Sequence, residues 1–221
     1  MQLLVLAQGL VDTRAEYDHL FSIYVPIAIG VFLAIFITVL GAVVVFGRRP
    51  PERAARWHEN NPVEATYAVV LGCVAAFLLY LTFTAEHRVD TVANRQRPAV
   101  VIDVIGTKWE WTFTYPAYGF SERSGTVGRQ PLVVPAGEPV RFNLTSADVI
   151  HSFWIPALRY KHDAIPGSVQ VATLVFSRGV FDGHCAEFCG LRHSDMIFTA
   201  YAVTPGQFAA WANSKGAGRT P

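Results

Sequence analysis

The stretch His184-Cys185-Ala186-Glu187-Phe188-Cys189-Gly190-Leu191-Arg192-His193-Ser194-Asp195-Met196 places two thiols, an imidazole and a thioether within twelve residues, from Cys185 to Met196. Soft sulfur donors select copper, zinc or iron–sulfur clusters, and a thiolate–imidazole set with a weak thioether ligand favours copper. Structural zinc is held by thiolates, imidazoles and carboxylates, rarely by a thioether. Gly183, Gly190 and the Arg178-Gly179 pair interrupt any helical pattern, so the segment reads as a loop between strands. Loops on a rigid scaffold are well suited to presenting ligands. A second copper needs another imidazole, and His151, 34 residues before Cys185, is the candidate. A plain disulfide between Cys185 and Cys189 is the competing reading, and it leaves His193 and Met196 without a task.

Short runs rich in β-branched and aromatic residues surround this loop: 100–105 (VVIDVI), 109–115 (WEWTFTY), 132–134, 140–144, 169–176 and 196–203. Gly106, Pro116, Gly119 and Pro135-Ala136-Gly137 punctuate them. Such spacing predicts an all-β sandwich or barrel over residues 99–212, with a frayed tail at 213–221.

The first third of the chain obeys a different rule. Residues 20–47 contain no Asp, Glu, Lys or Arg, and neither do residues 65–85. About 20 apolar residues cross a hydrocarbon core, so two transmembrane helices are expected, at 21–47 and 65–85. Charged residues make up only 16% of the 221 and hydrophobic ones 52%, which fits a membrane protein. The 48–64 loop carries Arg48, Arg49, Arg53 and Arg56, which makes it cytoplasmic. Segment 1–20 and everything after residue 85, including a polar connector at 86–98, then lie outside. Residues 1–10 are mildly apolar but lack a basic start, so a signal-peptide remnant is one reading of them. The net charge of +1 and the absence of a Lys/Arg-rich run exclude nucleic acid as a partner. Cys73, inside the second span, reads as a small packing residue. His87, His162 and His184 are given no metal role.

The loop C-A-E-F-C-G-L-R-H-S-D-M resembles that of subunit II of the haem–copper cytochrome c oxidases, the subunit carrying the CuA centre. Asp148-Val149-Ile150-His151-Ser152, Asp163-Ala164-Ile165-Pro166-Gly167 and Gly106-Thr107-Lys108-Trp109-Glu110-Trp111 are similar to further segments of that family. The resemblance implies a membrane α-hairpin followed by an all-β cupredoxin-like domain. It implies two copper ions bridged by Cys185 and Cys189 and capped by His151 and His193, with Met196 and the Glu187 carbonyl as weak ligands. It implies that the Glu187 side chain helps hold a magnesium ion shared with subunit I. Trp109 would receive the electron, and Glu64 would mark the mouth of a proton pathway. Glu64 also has a plainer reading, as an acid in the first turn of a helix.

The implied function is electron input to a proton-pumping terminal oxidase of a respiratory, bacterial plasma membrane. The implied partners are a haem-bearing subunit I, other oxidase subunits, membrane lipid and cytochrome c or a cytochrome c domain. The CuA subunit of a related nitric oxide reductase is the alternative. Nitrous oxide reductase fits poorly with two spans, a quinol oxidase with intact ligands, and a copper chaperone with a bridged, buried centre. Two departures from the family stand out. Thr107 and Lys108 occupy the usual G-H-Q-W positions, and residues 98–221 carry ten Lys/Arg against nine Asp/Glu, too even a balance to steer a basic donor. No C-x-x-C-H follows, so no covalent haem is expected on this chain.

Overall fold

A computed structural model describes residues 12–48, 59–126 and 129–216. The expected N-terminal segment up to residue 11, Arg49, Arg53 and Arg56 of the loop, and residues 217–221 of the tail lie outside the described residues. The chain divides into two units. One is residues 16–87; the other combines the first 15 residues with 88–221.

Helix α1 spans Thr13–Phe46 and α2 spans Asn61–Arg95. Asp12 caps α1 by accepting the N–H groups of Arg14 and Ala15, each at 3.1 Å. At the start of α2, Asn60 Oδ1 accepts the Val63 N–H at 3.3 Å while Glu64 Oε1 accepts the Asn60 N–H at 3.1 Å, a reciprocal capping pair. In α1 no residue is buried, and Phe32, Ile35, Ile37 and Val44 are all at least 60% exposed. A helix apolar on every side yet unburied has its solvent in lipid. Tyr24 Oη donates to the Leu78 carbonyl at 2.7 Å, tying the two helices into a hairpin. Helix α2 runs well past residue 85, so most of the expected connector at 86–98 is helical.

Among the described residues the other unit is a sandwich of ten strands in two five-stranded sheets. In chain order they are β1 Val100–Thr107, β2 Glu110–Tyr115, β3 Phe120–Gly125, β4 Leu132–Pro135, β5 Pro139–Ser146, β6 His151–Ile155, β7 Tyr160–Ala164, β8 Gln170–Val175, β9 Gly179–Cys185 and β10 Ile197–Val203. The first sheet has the order β3-β2-β1-β5-β8 and the second β4-β10-β9-β6-β7. Strict alternation in β1, β2 and β5 turns Ile102, Val104, Trp111, Phe113, Phe142 and Leu144 inward, where each is fully buried. Phe198 stacks on Phe153 at 4.8 Å between ring centres and meets Trp111 and Phe113 edge-on.

One sequence expectation changes here. The tail does not fray at residue 213: a third helix, α3, runs Pro205–Gly216. Thr204 and Gln207 cap it reciprocally, Phe208 and Ala212 bury one face, and Lys215 reaches Glu122 at 2.8 Å. Gly183 interrupts the helical pattern, as expected, without interrupting the strand. It lies in the middle of β9, where a Cβ would stand 2.0 Å from the Phe198 ring, so only glycine lets β9 and that ring approach.

Candidate metal centre

The sulfur-rich loop begins on a strand: Cys185 is the last residue of β9, and residues 186–196 then cross to β10 with a 3-10 turn at His193–Asp195. Backbone bonds fix this crossing. Cys185 donates to Met196 O at 3.0 Å, His193 to Gly190 O at 3.1 Å, and Ala186 to Ser152 O at 3.0 Å. The last of these binds the loop to β6, the strand that opens with His151.

Around this frame the soft donors converge. His151 Nδ1 lies 3.7 Å from Cys185 Sγ, and His193 Nδ1 lies 3.5 Å from Cys189 Sγ. The two sulfurs are 3.8 Å apart and both thiols are free, so the disulfide reading does not hold. Met196 Sδ stands 3.9 Å from Cys189 Sγ, and the Glu187 carbonyl 3.3 Å from Cys185 Sγ. Each thiol therefore has its own imidazole and its own weaker donor. His151, Cys185, Cys189 and Met196 are all buried, which excludes water from the donors. Among the described residues, His151, Cys185 and Cys189 form a group whose ligand atoms lie within 4.8 Å of one another.

The protonation of the pair suits a cation. Burial opposes ionisation of Cys185, but hydrogen bonds from His151 and from the backbone of Ser152 and Glu187 bring its thiol down to about 7. Burial and the neighbouring Cys185 charge push Cys189 up to about 12. The pair thus favours one negative charge near neutrality, and the second thiolate needs a positive ion beside it. Two thiolates, two imidazoles and a thioether, all but the half-buried His193 shielded from water, fit copper.

Asp148 has a task that the sequence did not reveal. Its Oδ1 lies 2.8 Å from His151 Nε2, and its Oδ2 accepts the Lys108 N–H at 2.8 Å. Burial raises the Asp148 carboxyl, yet the N–H groups of Lys108 and Val149 and the His151 ring outweigh it and lower its pKa. A carboxylate on Nε2 holds the His151 proton there and leaves Nδ1 free to face the sulfurs. The only forewarning was an Asp three residues before a candidate ligand. On its other flank the His151 ring rests on Gly106 of β1.

Trp109 stands beside the loop. Its Nε1 donates to the Cys189 carbonyl at 3.2 Å, and its ring lies against Gly190. The Glu187 side chain is exposed. Glu64 lies at the start of α2, away from these donors in the chain. His162 and His184 sit beside Tyr160 and Trp154 and join no metal-ligating group among the described residues.

A family profile described as the periplasmic domain of cytochrome c oxidase subunit II matches residues 123–203. The probable cytochrome c oxidase subunits 2 of Streptomyces avermitilis and Streptomyces coelicolor are 34% and 31% identical over 188 residues. Each alignment covers 67% of this chain and 58% of the relative, so the chain spans just under three-fifths of their length. The crystal structure of the periplasmic domain of subunit II of cytochrome oxidase from Bradyrhizobium japonicum is 30% identical. It is covered over 98% of its length by 56% of this chain, with a TM-score of 0.53. The sandwich is therefore the cupredoxin-like domain of that subunit, and two apolar helices precede it as a membrane anchor. With its fold, its sulfur–imidazole cluster and its sequence in agreement, the chain belongs to the cytochrome c oxidase subunit II family.

Proposed function

We propose that this chain is the electron-input subunit of a haem–copper terminal oxidase, accepting electrons from a cytochrome c at a binuclear CuA centre outside the membrane. The observation that carries this reading is the pairing of each thiol with its own imidazole across a 3.8 Å gap between sulfurs. A mononuclear site needs one thiolate; this donor set is sufficient for two metals. Cys185 and Cys189 would bridge two copper ions, His151 and His193 would cap them, and Met196 and the Glu187 carbonyl would complete the set. The bound pair supplies a one-electron redox couple.

The rest is the work of the chain. Strands β6 and β9, joined through Phe153 and Cys185, hold His151 and Cys185 in fixed register, so the donors need not move when the charge changes. Asp148 keeps the His151 proton on Nε2. The Trp109 indole offers a path of one hydrogen bond to the Cys189 backbone. The exposed Glu187 carboxylate would help hold a magnesium ion shared with a haem-bearing subunit I, which receives the electron and reduces oxygen. Glu64 would mark the cytoplasmic mouth of a proton pathway into that subunit. Its presence favours the oxidase over a nitric oxide reductase. The setting would be a bacterial respiratory membrane, spanned twice.

Metal analysis and electron paramagnetic resonance of the purified full chain test the centre. Two coppers per chain and a multi-line spectrum, from one electron shared over two nuclei, are expected. One copper with a four-line spectrum would sink the binuclear reading.

A further inference from the structure

We infer that Asp148 is a positioning residue for electron entry: its one carboxylate holds both the ligand His151 and the turn that carries Trp109. This rests on the reading of Trp109 as the electron-accepting residue. Thr107 and Glu110 are the last paired residues of β1 and β2, so Lys108 and Trp109 form the tip of that hairpin. A hairpin tip at the surface moves unless something ties it down. Here the Trp109 carbonyl accepts the Thr126 N–H at 3.2 Å, and the indole Nε1 donates to the Cys189 carbonyl at 3.2 Å. The Lys108 N–H donates to Asp148 Oδ2 at 2.8 Å, the shortest of these ties and the one with a charged acceptor.

The carboxylate itself is well placed to act as a strut. It stands on the turn between β5 and β6, which the Ala147 N–H fastens to the Gly106 carbonyl of β1 at 3.0 Å. Its two oxygens divide the work. Oδ1 accepts the Val149 N–H at 2.7 Å and lies 2.8 Å from His151 Nε2, while Oδ2 takes the Lys108 N–H. Asparagine has only one oxygen to offer. The Oδ1 position serves two N–H groups, so the amide oxygen settles there and the amide NH2 replaces Oδ2. It then meets the Lys108 N–H donor to donor. Asp148→Asn therefore keeps an acceptor for His151 and releases the hairpin tip, which separates the two tasks.

Fluorine NMR of the metal-free full chain, labelled with 5-fluorotryptophan in neutral detergent, reads the tip directly. Trp109→Phe identifies the Trp109 line among the five tryptophans. Asp148→Asn should shift or broaden that line and leave those of Trp154 and Trp211 in place. Reduction of the copper-loaded full chain by a mitochondrial cytochrome c, followed by stopped flow, should slow by about tenfold, a modest cost for a misplaced reacting group. Copper binding should weaken by about tenfold at most. In the Trp109→Phe background the same substitution should slow reduction no further, because two residues acting through one contact are not additive. An unmoved Trp109 line, wild-type reduction by the Asn variant, or full additivity with Trp109→Phe would each overturn the inference; full additivity would mean that the Asp148 charge acts on the donor directly. If Trp109→Phe alone reduces at the wild-type rate, the electron-accepting role of Trp109 fails, and the fluorine line by itself decides whether Asp148 holds the indole.

Discussion

A Cβ built on Gly106 would stand 2.8 Å from Cδ2 of His151 and 3.0 Å from its Cγ. The strand cannot easily retreat, because the Gly106 carbonyl accepts the Ala147 N–H at 3.0 Å and the Ser146 hydroxyl at 3.3 Å. The imidazole must therefore yield. Gly106→Ala should weaken copper binding by about tenfold or more, the scale of losses when support for a ligand is removed. Copper titration and the visible spectrum of the loaded chain check this. Wild-type affinity with an unchanged spectrum would show that His151 tolerates the methyl.

Asp148 supports the same ring from its other side, and its contribution divides into a hydrogen bond and a charge. Asp148→Asn can keep the acceptor near Nε2 but loses the charge; Asp148→Ala loses both. Copper affinity should fall in the order wild type, Asn, Ala, with a total span of about 10- to 100-fold. Competition titration against a copper chelator reads it. Equal affinities for all three proteins would reduce Asp148 to a surface residue of the loop.

These two residues mark where sequence reading stops. His151, Cys185, Cys189, His193 and Met196 were legible because sulfur and imidazole donors are few, and four of the five lie on one short loop. The spans were legible because an absence of charge over residues 20–47 and 65–85 has few other causes. Asp148 was visible as an acid, but its partner depends on how β6 begins after the preceding turn. That Gly183 lies inside a strand was not legible, because a glycine in a strand and a glycine in a turn look alike until Phe198 is seen against it. Strand β3, FSERSG, escaped notice because its outward Ser, Glu and Arg dilute the aromatic signal; its neighbour β2 pairs with it throughout. Helix α3 carried a readable capping pair, Thr204 and Gln207, in a tail whose Gly, Ser and Lys suggested fraying.

Glu64 has two competing tasks, and one substitution tells them apart. As a cap, its side chain only accepts the Asn60 N–H, which a glutamine oxygen also does. As a proton carrier it must ionise, which glutamine cannot. Glu64→Gln in the assembled oxidase should leave helix content and copper reduction unchanged while slowing turnover. Glu64→Ala should in addition destabilise the start of α2 by about 1 kcal/mol. Steady-state oxygen consumption and circular dichroism on both variants read the difference. Full turnover with glutamine returns Glu64 to the cap alone.

Alkaline stability tests the core away from the metal. Tyr115 is fully buried; its hydroxyl donates to the Val133 carbonyl at 2.9 Å and accepts the Val133 N–H at 2.9 Å. Burial, with a smaller push from the Glu122 charge, raises its pKa far above the ordinary 10.0. Tyr160 is raised as well, by burial and by Asp90. A folded state that resists ionising a phenol is stabilised below the unfolded pKa and loses that advantage as pH climbs above it. The melting temperature should therefore hold up to about pH 10 and fall steeply beyond. Tyr115→Phe strands the Val133 N–H and should cost about 1–3 kcal/mol at neutral pH. It also removes one of the two phenols whose pKa the fold raises, so its stability should decline less steeply above pH 10 than that of the wild type. Melting curves of both proteins between pH 8 and pH 11 decide the matter; parallel declines would mean that Tyr115 ionises as freely in the fold as out of it.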